Sequence, residues 1–376
     1  MTTLVQPKPT ETVSIPVAAE SSSALPRLLA VATANPPTGY RQRELVDLLG
    51  ITDSKIRGVF LNGGIEHRYL TLPPRAENGN FREESQAELL QKHRRYGVRT
   101  GADAIRACLR ELGREPEEIK YLVAVTTTGF LTPGFSALLI DELGLSPHTA
   151  RLDVVGMGCN AGLNGLTAAA SWSATHPGEL TILACSEACS AAYVFDGTMR
   201  TAVVNSLFGD GAAALALCSG PQPNGESTAS TPAVLAQRSY MIRHAIGAMR
   251  YDWDDEAGKF SFYLDRDVPY EVGAHVEIVV DRLLSENGLR RKDIAQWIVH
   301  SGGKKVIDAV KINLGLTGHD LRHTTGVMRD YGNLSSGSFL FSYERLLAEQ
   351  VTRPGDYGVF MTMGPGSQIE TALVRF

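Results

Sequence analysis

"VVGMGCNAGLNGL", residues 154–166, is the stretch on which the reading of this chain turns. Val154 and Val155 close a strand-like run. Gly156 and Gly158 then punctuate it, and "CNAGLNGLTAAASWSAT" continues as a helix rich in small residues. Cys159 sits at the turn, where backbone N–H groups and the positive end of the helix dipole converge, a field that favours a thiolate. Buried structural cysteines also occupy such places, and this stretch alone leaves both readings open.

Working outward, the same strand, turn and helix grammar recurs. "LPRLLAVATANPP" is a strand stopped by Asn35-Pro36-Pro37, and "YRQRELVDLLGI" has helical periodicity. "ESQAELLQKHRRYGVRTGADAIRACLRELG" reads as a helix that Gly113 stops. "YLVAVTTTG", "ELTILACSE" and "GAAALALC" are buried strands. After a polar stretch, "SYMIRHAIGAM" is strand-like and "EVGAHVEIVVDRLLSENGL" is a long helix. "IAQWIVHSGGKKVIDAVKINLGL" is again strand, glycine turn, helix, and "VFMTMG" and "TALVRF" close as strands. Alternating strands and helices predict an α/β protein. The expected organisation is a tail over residues 1–23, an N-terminal half over 24–218, a polar connection over 219–233 and a C-terminal half over 234–376. The halves share a theme without a convincing sequence repeat.

Composition narrows the function. The chain has 376 residues, 43% of them hydrophobic, enough for a large core. A net charge of −5 without a basic run argues against nucleic acid. "HRRYGVR" (93–99) reads as a solvated helix face. The five cysteines, Cys108, Cys159, Cys185, Cys189 and Cys218, are irregularly spaced and form no CxxC pair, so neither a disulfide framework nor zinc is expected. The N-terminus lacks the pattern of a secretory signal, and no apolar run reaches the roughly 18 residues of a membrane span. A cytoplasmic setting is the expectation.

Two further turns carry chemistry. His300 ends the apolar run "WIVH" and precedes "SGG", so it would project at a strand's C-terminal edge, where α/β proteins place ligands. A histidine that merely caps the next helix fits there as well. Asn333 lies in "DYGNLSSGS", ahead of the helical "FLFSYERLLAE", where it serves equally as an N-cap. A Cys, a His and an Asn at three such turns supply a nucleophile, a base and an amide donor.

With these residues in view, the chain resembles the type III polyketide synthases, the chalcone synthase-like branch of the thiolase fold. The resemblance covers nearly everything after the tail. "TANPP" (33–37), the Cys159 elbow, "LFGDGAAA" (207–214), "HSGG" (300–303), "YGNLSS" (331–336) and "GPG" (364–366) fall in the family's order and spacing. It implies a layered αβαβα arrangement of two similar halves. Cys159, His300 and Asn333 take the places of the family's triad, and Phe208 and Phe262 those of its gatekeeping phenylalanines. "MGCNAGLNGL", "CSEACSAAY", "DGTMRTAVVNSLFGDG", "VHSGGKKV" and "RDYGNLSSGSFLFSYER" narrow the likeness to bacterial members that use malonyl-CoA as both starter and extender.

What the resemblance implies is an acyltransferase that builds a tetraketide on Cys159 and releases an aromatic CoA thioester for antibiotic biosynthesis. A malonyl-primed synthase of another ring, such as tetrahydroxynaphthalene, and a catalytically silent scaffold remain the alternatives. The resemblance also implies a homodimer, no metal and no cofactor beyond the CoA carried by the substrate. Crotonase-family helper enzymes of the same pathway are candidate partners. Cys189 and Ala192 replace two pocket threonines of the plant-type enzymes. Thr132 replaces a methionine that crosses between subunits. Lys55 remains of a thinned basic CoA-binding cluster, and Lys304 and Lys305 stand where that pattern has an uncharged Pro-Ala. These positions are the expected substrate-binding set.

Overall fold

The structure is a computed structural model that describes residues 25–77, 79, 81–221 and 231–376. The expected tail (1–23) and residues 222–230 of the expected connection lie outside the described residues. The first part of the chain runs β1 (Arg27–Ala34), β2 (Gly39–Arg41), α1 (Gln42–Leu48), α2 (Ser54–Leu61), β3 (His67–Tyr69), α3 (Gln86–Lys92) and α4 (Val98–Leu112). Next come β4 (Ile119–Thr126), α5 (Phe135–Leu143), β5 (Ala150–Val155), α6 (Ala161–Thr175), β6 (Leu180–Glu187), α7 (Met199–Leu207) and β7 (Gly211–Cys218). The second part runs β8 (Ala233–Met241), β9 (Met249–Asp254), β10 (Lys259–Leu264), α8 (Val268–Ser285), β11 (Ile294–Val299) and α9 (Lys304–Leu314). It closes with α10 (Arg322–Tyr331), α11 (Ser338–Glu349), β12 (Tyr357–Gly364) and β13 (Gln368–Arg375).

The duplication that the sequence hides is plain in the strand order, β11-β12-β13-β8-β1-β7-β6-β4-β5. Counted within its own half, the first set β1, β4, β5, β6, β7 is ordered third, second, fourth, fifth, first. The second set β8, β11, β12, β13 repeats that order without the third strand. Directions match too: β4 runs parallel to β6 as β11 does to β12, and the last strand of each half is antiparallel to both neighbours. The halves meet where Arg27 of β1 pairs with Ala233 of β8.

Side chains alternate across the strands, apart from register shifts such as those after Leu28 and Ile119, so each sheet face buries its own core. On β4 and β6, Val123 and Leu183 face α6 and α11, whose Leu163, Leu166, Phe339 and Leu340 also meet Ile298, Phe360 and Val374 of the second half. Leu122, Ala124 and Ile182 face the opposite way, onto Ile105 and Leu109 of α4 and Leu139 of α5. Val299, Val359 and Leu373 pack outward on Val276, Val280 and Val310 of α8 and α9. The layers are therefore α, β, α, β, α, with α6 and α11 in the middle.

Gly113 ends α4 in a left-handed cap with φ 61°, as expected. Other expectations needed adjustment. The single helix expected across residues 84–113 is interrupted by a π-turn at His93–Gly97, which turns His93 inward. The strand expected over "SYMIRHAIGAM" is β8, which ends at Met241 because Arg243–Ala245 form a 3-10 turn. The β9–β10 hairpin, which sets Phe262 opposite Tyr251, carries no glycine-rich two-residue turn that would announce it.

Candidate active site

Cys159 is placed by a turn that only glycine permits. Gly158 has φ +70°, and a Cβ built on it would lie 2.1 Å from Pro365 Cδ, in the turn between β12 and β13. Cys159 follows in the 3-10 turn Gly158–Asn160 that leads into α6. The second half repeats the device, since the 3-10 turn Ser335–Gly337 leads into α11. The two central helices thus bring their entry turns together, and Ser335 Oγ donates to Cys159 Sγ at 3.6 Å.

Asn333 is fixed by its neighbours. Its backbone N–H donates to the Leu207 carbonyl and its carbonyl accepts from the Gly209 N–H, each at 2.9 Å, bracketing Phe208. Its Oδ1 accepts from the Ser335 N–H at 2.8 Å, and Ser335 in turn contacts Cys159. His300 is 1% exposed at the end of β11, with its N–H donating to the Met361 carbonyl at 2.8 Å. Its Nδ1 has no partner, and no hydrogen bond joins it to Cys159.

A cavity opens beside Cys159. Cys189, Ala192, Phe208 and Phe262 line it, as expected, together with Thr127, Thr128, Tyr193, Tyr251 and Ser335. Phe208 and Phe262 meet edge to face at 5.8 Å, and Tyr251 packs on Phe262 at 5.2 Å. His300 and Asn333 do not line the cavity. Thr132, Lys55, Lys304 and Lys305 lie outside it, all exposed. Lys304 pairs with Asp308 at 2.7 Å in the first turn of α9, next to the loop of Gly64.

Several site residues escaped the sequence reading. Glu187, at the end of β6, is fully enclosed and accepts from the Thr127 N–H at 2.9 Å and from the hydroxyls of Thr127 and Ser336. Thr127 Oγ1 lies 2.9 Å from Ser335 Oγ, so polar contacts run from Glu187 through Thr127 and Ser335 to Cys159. The one signal in sequence was an acid closing the otherwise apolar run "LTILACSE". Arg68, 0% exposed, donates to the Phe208 carbonyl at 2.6 Å and to the Tyr193 hydroxyl at 3.0 Å, fixing one wall of the cavity. No pattern in "HRY" marks it.

Burial works against the electrostatic expectation. The Cys159 thiol is pushed up to about 12, because desolvation, reinforced by the nearby Glu187, outweighs the hydrogen bonds from Ser335 and Asn333. Desolvation likewise pushes His300 down to about 3 and Glu187 above the usual carboxylate range. Burial thus opposes a charge on either residue taken alone, against the pull toward the thiolate that the helix dipole exerts. Among the described residues no His, Cys, Asp and Glu cluster is fit for a metal, and no helix is long and apolar enough to cross a membrane.

Known proteins match most of this chain. Residues 17–221 match the N-terminal domain of the chalcone and stilbene synthases, and residues 252–376 their C-terminal domain. A 3,5-dihydroxyphenylacetyl-CoA synthase of Streptomyces toyocaensis is 62% identical over 351 residues, covering 93% of this chain and 90% of that protein. One from Amycolatopsis orientalis is 61% identical over 350 residues, covering 93% of each. Among solved structures, PKS-I of the brown alga Ectocarpus siliculosus superposes with a TM-score of 0.85 at 24% identity, over 93% of this chain and 98% of that one, a likeness of fold.

Proposed function

Because this chain belongs to the chalcone and stilbene synthase family, the type III polyketide synthases, we propose that it condenses malonyl-CoA, as starter and extender, into 3,5-dihydroxyphenylacetyl-CoA for glycopeptide-type antibiotics. The observation that carries the product is the 62% identity, over 93% of the chain, to a relative of that name.

The site supports the following course. Cys159 Sγ attacks the thioester carbonyl of malonyl-CoA, its proton passes to His300, and CoA leaves as the thiol. Burial opposes each charge alone, but a thiolate and an imidazolium formed together attract strongly in so dry a site. An extender malonyl-CoA then loses CO₂, and the electron pair of the broken C–C bond becomes an enolate. His300 and Asn333 are the donors for its oxygen, a kind of contact that is worth about 2.7–4 kcal/mol of barrier when one is removed. The enolate carbon attacks the acyl carbonyl, a C–C bond forms and the Cys159 thiolate leaves. Phe208 and Phe262 exclude water and favour loss of a carboxylate.

For the ring, C8 of the tetraketide attacks C3. If the starter carboxylate is still present, its departure as CO₂ supplies the electron pair at C8. The C3 oxygen leaves as water, the ring aromatises, and C1 stays a CoA thioester. None of these steps calls for a prosthetic group.

A homodimer is supported by β5, an edge strand with Leu152 and Val155 exposed. Five unpaired thiols support a reducing, cytoplasmic setting. Crotonase-family helpers fit a product that leaves as a CoA ester. Incubation with malonyl-CoA alone and mass identification of the products tests the proposal. The dihydroxyphenylacetyl thioester, or its hydrolysed acid, is expected; tetrahydroxynaphthalene as the main product would overturn it.

A further inference from the structure

We propose that Tyr251 is the residue that selects the malonyl starter, its phenol donating a hydrogen bond to the distal carboxylate of the acyl group on Cys159. The inference rests on the malonyl-primed reading above and assigns the recognition step within it.

An acyl group on Cys159 enters the cavity that Cys159 lines, and a malonyl group carries a charge there. No Lys, Arg or His lines that cavity. Its other hydroxyls all have hydrogen-bond partners. Thr127 is held by Glu187, and Thr128 is engaged by His93 at 3.0 Å and by the Ala188 N–H at 3.1 Å. The Tyr193 hydroxyl donates to the Phe208 carbonyl, and Ser335 donates to Cys159. The Tyr251 hydroxyl makes no hydrogen bond among the described residues. It is not among the enclosed polar atoms without partners, and Tyr251 lines both the Cys159 cavity and the adjoining one that shares Thr127, Thr128 and Ala192.

The fold aims it there. Tyr251 on β9 is the register partner of Phe262 on β10, and the rings of Tyr251, Phe262 and Phe208 follow one another at 5.2 and 5.8 Å along the cavity wall. Burial raises the phenol above its usual range, so it remains protonated and able to donate at any working pH. Glu187, a buried carboxyl whose field reaches Tyr251, is pushed toward its neutral form by the same burial and does not repel an incoming carboxylate strongly.

A single neutral donor without a counter-ion also suits the chemistry. It is enough to prefer malonyl over acetyl, because a charged acceptor gains more from the contact than the enclosed phenol gains from a methyl group. It is too little to make the carboxylate comfortable in an apolar cavity, which leaves it ready to depart as CO₂ when the ring closes.

The test compares Tyr251→Phe with wild type, reading kcat/KM for acylation of Cys159 by malonyl-CoA and by acetyl-CoA through intact-protein mass. Phe keeps the ring contact with Phe262. A purely structural defect lowers both rates together, so the ratio is the diagnostic. The malonyl-to-acetyl ratio is expected to fall roughly tenfold or more in Tyr251→Phe, the factor for one hydrogen bond to a charged group. A ratio within about twofold of wild type overturns the role of Tyr251, whether the absolute rates hold or fall. If wild type itself shows no preference for malonyl-CoA, the malonyl-primed reading fails, and this inference fails with it.

Discussion

The hydroxyl of Ser335 donates to Sγ of Cys159 at 3.6 Å, and the two residues stand in the entry turns of α11 and α6, the paired central helices of the two halves. Ser335 also lies 2.9 Å from Thr127, which is bound to Glu187. The thiol is thereby tied to an enclosed carboxyl at the end of β6, in the opposite half from Ser335.

Ser335→Ala removes the donor and breaks that chain. Acylation of Cys159 by malonyl-CoA should slow about tenfold, the worth of one hydrogen bond to a developing thiolate. Ser335 already has φ 49°, a value alanine shares no more comfortably than serine, so stability should fall by no more than about 1–2 kcal/mol. Stopped-flow release of CoA measures the rate, and an unchanged rate would remove Ser335 from the nucleophile's surroundings.

Much of this arrangement was legible in the chain, for identifiable reasons. Strands buried on both faces give continuous apolar runs, so β4, β6, β7 and β11 stood out, as did the glycine turns bearing Cys159 and His300. What stayed hidden depends on contacts between distant segments. The duplication is carried by strand order, which leaves no repeated residues. Arg68 reads as a surface residue until Phe208, Asn205 and Gln42 close around it. Tyr251 acquires meaning only through a hairpin register. The burial that pushes the Cys159 thiol upward was also hidden, because desolvation depends on the closed cavity and not on the local helix.

His93 offers a test of the same burial. It is 0% exposed, its Nδ1 engages Thr128 and its Nε2 has no partner, and desolvation pushes its pKa down to about 4. A depressed histidine stabilises the fold above its unfolded value of about 6.5, and that contribution is lost as pH falls toward 4. His93→Gln removes the titration. The stability gap between variant and wild type should therefore shrink by about 2 kcal/mol from pH 7.5 to pH 5. Urea unfolding at those pH values measures it, and a constant gap would mean that His93 is not held neutral.

Ala192 and Cys189 line the cavity beside Cys159, and we propose that they shape it for ring closure. Ala192→Leu fills part of it. Cys159 should still be acylated at near the wild-type rate while product shifts from the aromatic thioester to pyrones, by more than about tenfold in ratio if closure loses some 1.4 kcal/mol. An unchanged product profile on chromatography would show that Ala192 does not shape the folding of the chain.

Lys304 and Lys305 project from the first turn of α9, a few residues beyond His300 and outside the cavity. If they attract the phosphates of CoA, Lys304→Ala and Lys305→Ala should each raise KM for malonyl-CoA a few-fold at low salt, with kcat unchanged and the effect fading as ionic strength rises. Identical kinetics in both variants across the salt series would leave them as solvated helix residues.

The central claim is that Cys159 is the nucleophile that carries the growing chain. Its most direct test is peptide-resolved mass spectrometry of the intact chain after brief exposure to malonyl-CoA, run on wild type and on Cys159→Ala. The expected result is one acyl group on the Cys159 peptide of wild type, and neither adduct nor product from a variant that remains folded. Product formed by Cys159→Ala, or an acyl group found on Cys189 in wild type, would contradict the account.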